Sequence, residues 1–343
     1  MPILPMMMLM LAHPAAGEVK VFGDWAVGCD NLHRCEMTSL VPGDGMESPG
    51  EEYDQVSFSI ERAAGPAGGF SVEVQMPDTQ DGGEVSVRVD AEIITGAAPK
   101  NGLIRFTGAQ AAKIVAAMAK GKEIFITDIG DTMIGRVSLS GSSAALRFID
   151  ADQGRAGGVT AAVAKGTKPA SAVPVEATAP VVRFVRPSGA VAKITPALRK
   201  AMDADGECAE VYAGGEGDPP AVEAFALGGG KTLALLPCGS GAYNFSTIPY
   251  IIIAGKPALA QFDFDVFTRD GEASWPELVN AGFDPKTGQL STYNKGRGVG
   301  DCGQAEDYVW DGARFRLVGA REMPECRGSM NWITTFRAVP QAQ

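Results

Sequence analysis

Six cysteines carry most of the chemistry in this 343-residue chain. Cys29, Cys35, Cys208, Cys238, Cys302 and Cys326 are even in number, scattered, and never in the C-x-x-C spacing of zinc or dithiol sites. Such a set reads as a disulfide framework, and disulfides persist in oxidising compartments. Proximity along the chain favours Cys29–Cys35, Cys208–Cys238 and Cys302–Cys326 among the fifteen possible pairings. With every sulfur paired, no thiolate remains as a nucleophile.

Histidine chemistry is sparse. His13 lies in the apolar leader, so His33 is the sole histidine beyond it. This excludes multi-histidine metal sites and leaves little room for Ser-His-Asp or Cys-His catalysis. His33 falls between Cys29 and Cys35 and reads as an exposed loop residue. Three strings imitate known motifs and fail on spacing. A phosphate loop ending at Gly230-Lys231-Thr232 would need its first glycine at Phe225. Cys238-Gly239-Ser240-Gly241 lacks the first glycine of a nucleophile elbow, and Lys286-Thr287-Gly288 has no S-x-x-K element to accompany it. No catalytic residue, metal site or cofactor is expected. One carboxylate pair has usable spacing. Asp263 and Asp265 alternate with Phe262, Phe264 and Val266, which puts both carboxylates on one strand face about 7 Å apart. A carboxylate-dependent hydrolase acting on a cell-wall or sugar substrate is the alternative function they allow. A solvated face over an aromatic core is the competing reading.

The charge balance narrows the partners. Thirty basic against 41 acidic side chains give a formal charge of −11, which repels nucleic-acid phosphate. Residues 1–16 carry no Lys, Arg, Asp or Glu, and their apolar run from Ile3 to Leu11 is too short to span a bilayer. They read as a signal peptide over 1–17, cleaved after Ala16 or Gly17. No later apolar run reaches a membrane-spanning length, so a periplasmic or secreted protein is expected.

The elements that must position these residues are mostly strands. Val56–Ile60, Phe70–Val74 and Val85–Val89 alternate apolar and polar side chains as half-buried strands do. One helix is expected over 108–120, started by a Thr107/Gln110 capping pair, with Ala112, Val115, Ala116 and Ala119 inward and Gly121 at its end. The Ala-, Pro- and Thr-rich segment 159–182 reads as a linker between domains at 18–158 and 183–343. Beyond it, Thr195-Pro196 starts a second helix and the rest is strands and turns. The expected class is α+β, mainly β: two antiparallel-sheet-rich domains, each with one short helix, stapled by disulfides.

Several cysteine-centred strings resemble a known family. They are Ser291-Thr-Tyr-Asn-Lys-Gly-Arg-Gly-Val-Gly-Asp-Cys-Gly303, Tyr308-Val-Trp-Asp-Gly-Ala-Arg-Phe-Arg-Leu317, Met323-Pro-Glu-Cys-Arg-Gly328 and Leu235-Leu-Pro-Cys-Gly-Ser-Gly-Ala-Tyr-Asn244. Together they look like the bacterial envelope family catalogued as domain of unknown function 1176. In the N-terminal half, Phe22-Gly-Asp-Trp-Ala-Val-Gly-Cys-Asp30 and Val137-Ser-Leu-Ser-Gly-Ser-Ser-Ala-Ala-Leu146 are similar to invasion-associated locus B proteins. The resemblance implies a secreted or periplasmic protein of Gram-negative bacteria and brings no catalytic residues. The expected function is therefore non-enzymatic: binding another envelope protein or a glycan. Tyr293, Asn294, Lys295 and Arg297 are the candidate contact residues, because two cations and an aromatic ring stand out in an acidic chain.

Overall fold

The computed structural model describes residues 17–43, 56–76, 83–209, 211–212, 219–263 and 276–343. The expected signal peptide over 1–17 therefore lies outside them except for Gly17. The described residues of the N-terminal half hold ten strands: β1 (Lys20–Phe22), β2 (Trp25–Cys29), β3 (Cys35–Ser39), β4 (Ser57–Arg62), β5 (Phe70–Gln75), β6 (Val85–Val89), β7 (Glu92–Ala97), β8 (Leu103–Thr107), β9 (Glu123–Asp128) and β10 (Met133–Ser138). They form two antiparallel sheets, ordered β1-β2-β3-β4-β5-β8 and β10-β9-β6-β7. Period-two alternation sends Phe58, Ile60, Val72 and Val74 inward, while Ser59, Glu61, Ser71 and Glu73 point out.

The helix α1 (Gly108–Met118) lies where it was expected, but two details differ. Its buried face is Ala111, Ile114, Val115 and Met118, because burying Ile and Met removes more apolar surface than burying Ala112 and Ala116. The Thr107 side chain caps nothing, and Gln110 instead donates to Thr95 Oγ1 at 3.0 Å. The described residues of the N-terminal half also contain a second helix, α2 (Ser142–Asp152), although only the one helix over 108–120 was expected there. Its start is a polar Ser/Gly run that reads as a turn, and its apolar spacing begins only at Ala145, Leu146 and Ile149. Gly141 begins it at φ +87°, and a side chain there would strike the Phe22 carbonyl.

Segment 159–182 folds back on this half. The buried Asp150 carboxylate accepts the N–H groups of Ala162, Val163 and Ala164 at 2.8, 2.9 and 3.1 Å. The buried Arg62 guanidinium sits 3.3 Å from the same carboxylate and also donates to the Thr160 carbonyl. Burial and the neighbouring Arg155 push Arg62 down to about 10. A single 3-10 turn, Ala170–Ala172, and the buried Val173 follow.

The C-terminal half has α3 (Pro196–Asp205), started as expected by Thr195 Oγ1 accepting the Leu198 N–H at 3.2 Å. One sheet contains strands Glu223–Gly228, Lys231–Ser240, Phe245–Ile253 and Lys256–Leu259, with Leu278–Val279 joined to the third. The other runs Gly282–Asp284, Gln289–Lys295, Gly303–Trp310, Phe315–Met323 and Ile333–Arg337. Leu235, Ile251, Leu290, Tyr308 and Phe315 belong to one apolar cluster of this half. Met202 of α3 joins Leu236, Ile248 and Tyr250 in another. All six cysteines are paired, as Cys29–Cys35, Cys208–Cys238 and Cys302–Cys326. No helix among the described residues is long and apolar enough to cross a membrane.

Candidate ligand groove beside the 326–333 segment

The outward side chains of β4 and β5 are polar because their inward partners fill the core, so these strands present an open face of Ser57, Ser59, Glu61, Ser71, Glu73 and Gln75. Part of that face is roofed from more than 250 residues along the chain. Residues 326–337 cross the neighbouring β2–β3 region and are fastened there. Thr38 Oγ1 and Ser329 Oγ share a hydrogen bond at 3.1 Å, and the Glu36 carboxylate accepts the Thr334 N–H at 3.0 Å. Arg337 pairs with Asp30 and Glu36 at 2.6 and 2.7 Å, and Arg327 donates to the carbonyls of Val41 and Gly23. Ala26 and Leu40 share an apolar cluster with Cys302, Met323 and Ile333.

The edge of this roof turns the polar face into a groove. A pocket of about 210 Å³ lies over Ser59, Glu61, Ser71 and Glu73, with Asn331 and Trp332 along its wall. Asn331 also borders a larger cleft of about 690 Å³ at the strand ends, lined by Val41, Val56, Met76, Met330 and Arg136 among others. The floor carboxylates are neutralised by arginines: Arg34 contacts Glu61 at 2.7 Å and Arg105 contacts Glu73. The hydroxyls of Ser59 and Ser71 make no hydrogen bond among the described residues. Glu36, at the roofed end, is pushed above the usual carboxylate range by burial, against the opposing pull of Thr334 and Arg337. The groove thus offers unused hydroxyls, charge-balanced carboxylates and one indole side chain.

The candidate contact residues have internal partners, and Tyr293, Asn294 and Lys295 end the strand Gln289–Lys295 while Arg297 lies in the loop that follows. The Tyr293 ring packs on Trp332, with centroids 4.9 Å apart, and its hydroxyl donates to the Gly300 carbonyl at 2.9 Å. Lys295 lies 5.5 Å from the Tyr293 ring centroid, and Asn294 Oδ1 is 3.5 Å from Asn244 Nδ2. Arg297 binds both oxygens of the buried Asp301 carboxylate, at 2.7 and 2.5 Å. Asp301 in turn accepts the Gly328 N–H at 2.7 Å, which ties the loop to the groove wall. Burial raises the Asp301 pKa, but Arg297 and Gly328 outweigh it and hold the carboxyl below its ordinary range. These residues buttress the wall from behind.

Of the carboxylate pair, only Asp263 is among the described residues. Asp265 lies outside them. Both Asp263 oxygens are taken, one by Arg316 and one by the Leu317 N–H at 2.9 Å. The groove floor escaped the sequence reading because alternation marks it only as a solvated sheet face, and nothing near residue 59 announces a wall built from residue 331.

Comparison with known proteins places the whole assembly. An uncharacterised protein of Escherichia coli K12, YpfG, is 31% identical over 340 residues, covering 93% of this chain and 90% of its own length. A crystal structure of invasion associated protein B from Bartonella henselae, at 18% identity and TM-score 0.31, covers 40% of this chain and 99% of its own. The three disulfides fit an extracytoplasmic location. The profile described as "Protein of unknown function (DUF1176)" matches residues 19–339, and the chain belongs to that family.

Proposed function

We propose that this protein is a non-enzymatic binding protein of the periplasm or extracellular space, and that it holds a glycan segment in the groove over β4 and β5. The floor of free hydroxyls and arginine-balanced carboxylates beside Trp332 carries this reading. Sugars present many hydroxyl donors and acceptors and apolar ring faces, which match such a floor and an indole respectively. A protein ligand is favoured less, because the pocket beside Trp332 is polar where the fully buried centre of a protein interface is enriched in apolar side chains. The hydrolase alternative is favoured less, because both Asp263 oxygens already have partners in Arg316 and the Leu317 N–H.

Calorimetric titration with soluble glycan strands released from bacterial cell wall tests the reading. The intact protein should bind, and the Ser59→Ala/Ser71→Ala double variant should bind at least tenfold more weakly while remaining folded. No heat with the intact protein would remove the glycan reading. Equal affinity in the double variant would move the site elsewhere.

A further inference from the structure

We propose that the Cys29–Cys35 pair, once reduced, is a zinc-type metal site completed by Asp152 and His33. The two cysteines face each other across the β2–β3 hairpin. Asp152, the last residue of α2, brings Oδ1 to 3.8 Å from Cys35 Sγ, and one ligand atom each from Cys29, Cys35 and Asp152 all lie within 4.8 Å of one another. His33 Nδ1 is 2.8 Å from that same carboxylate oxygen. Tetrahedral zinc bonds of about 2.0–2.3 Å set ligand atoms roughly 3.3–3.8 Å apart. The Cys35 Sγ to Asp152 Oδ1 separation already meets that requirement, whereas the 2.8 Å between His33 Nδ1 and that oxygen is a hydrogen-bond distance, so His33 completes the site by orienting the carboxylate. Two thiolates with a carboxylate, and an imidazole to orient it, form a donor set suited to Zn²⁺ over harder cations.

Opening the disulfide need not dismantle the site, because its loop is held in other ways. Asp30 Oδ1 accepts the N–H groups of Leu32 and Arg34 at 2.8 and 3.0 Å, and its other oxygen pairs with Arg337. The Asp30 carbonyl accepts the His33 N–H, and Gln153 Nε2 donates to the His33 carbonyl at 2.8 Å. These bonds keep His33 at φ +60°, a left-handed backbone that a non-glycine residue holds only when its surroundings require it. The His33 side chain is 57% exposed and that of Asp152 27%, so solvent reaches the rim of the site although the cysteines are buried.

The chemistry balances with a dithiol as reductant. The dithiol gives up two electrons and two protons and becomes a disulfide, and Cys29 and Cys35 become thiols. A divalent cation then displaces one proton from each thiol and binds both thiolates, with no change in its oxidation state. The oxidised protein has no thiolate to offer and does not bind the ion.

The test uses the intact protein, treated with a phosphine so that no added thiol competes for metal. Alkylation and peptide mapping identify the opened pair, circular dichroism follows the fold, and Co²⁺ is the first probe, followed by competition with Zn²⁺. The expected result is a thiolate-to-cobalt charge-transfer band in folded protein reduced at Cys29 and Cys35, absent before reduction and displaced by Zn²⁺. Asp152→Asn and His33→Ala should each weaken the ion about 10- to 100-fold. Protein alkylated at the two thiols serves as the non-binding control without relying on a cysteine variant that fails to fold. A reduced, folded protein without the band would overturn the proposal. So would a pair that opens only on unfolding, or affinity unchanged in both variants.

Discussion

Two polar surfaces lie on either side of the 326–333 segment and use their functional groups in opposite ways. Behind it, the 293–301 segment, a strand end and the loop after it, closes on itself: Arg297 on Asp301, the Tyr293 hydroxyl on Gly300, Lys295 near the Tyr293 ring. In front of it, the β4–β5 floor leaves the Ser59 and Ser71 hydroxyls open beside Trp332. The rear surface has the more conspicuous residues and the front one has the available ones. Availability, meaning groups already desolvated on one side and unpaired on the other, is what a ligand can use.

The sharpest separation should come from the disulfide behind the wall. Replacing Cys302 and Cys326 together by serine opens a bridge of sequence separation 24, and denaturant unfolding should show a loss of about 2–4 kcal/mol. Groove affinity should fall with it, since the wall loses its anchor. A variant of full stability would mean that the wall is held mainly by its contacts with β2–β3.

Asp301→Ala should cost less, about 1–3 kcal/mol, because it strands the Gly328 N–H and removes the carboxylate that Arg297 binds with two hydrogen bonds. The Asp301 pKa is depressed in the folded state, so its contribution is present above the unfolded carboxyl value and is lost as pH falls through the lower folded value. Acid unfolding of the parent, compared with Asp301→Ala, should therefore differ by less below about pH 4 than at pH 7.

Glu36 should behave in the reverse sense. Its folded pKa is raised, so folding favours its protonated form, and that contribution is lost as pH rises through the folded value. Glu36→Gln should change stability at pH 7 by less than about 1 kcal/mol and flatten the stability profile just above the ordinary carboxylate range. A steeper profile in the variant would contradict the burial argument.

The smallest effect on folding belongs to the floor. Ser59→Ala and Ser71→Ala should each stay within about 0.5 kcal/mol of the parent. If they cost as much as Asp301→Ala, the hydroxyls have internal work and the contrast between the two surfaces collapses.

Strand alternation made β4, β5 and β6 legible in the sequence, since one buried face imposes period two on Phe58, Ile60, Val72, Val74, Val85 and Val87. Thr195-Pro196 gave away α3 because both its signals are local. α2 was hidden because its first turn is made of turn-forming residues, and tertiary packing of Leu146 and Ile149 decided it. The groove was least legible of all. Its floor and wall are separated by about 270 residues in the chain, and the hydrogen bonds of Glu36, Thr38 and Asn31 that bring them together carry no periodic signature.

The carboxylate of Asp150 has a consequence for how the chain can be cut. Residues 162–164 are folded around it and Val173 is buried, so a fragment ending at 158 would expose a buried arginine–carboxylate cluster stripped of three amide donors. On the other side, Val181–Phe184 pairs in parallel with Val339–Ala342. Between these anchors, residues 174–180 are mostly exposed, with Val175 at 80%. Of these two places, an endoprotease meeting the native protein should therefore nick 174–180 rather than 159, and the two products should stay associated until their salt bridges through Arg327 and Arg337 are broken.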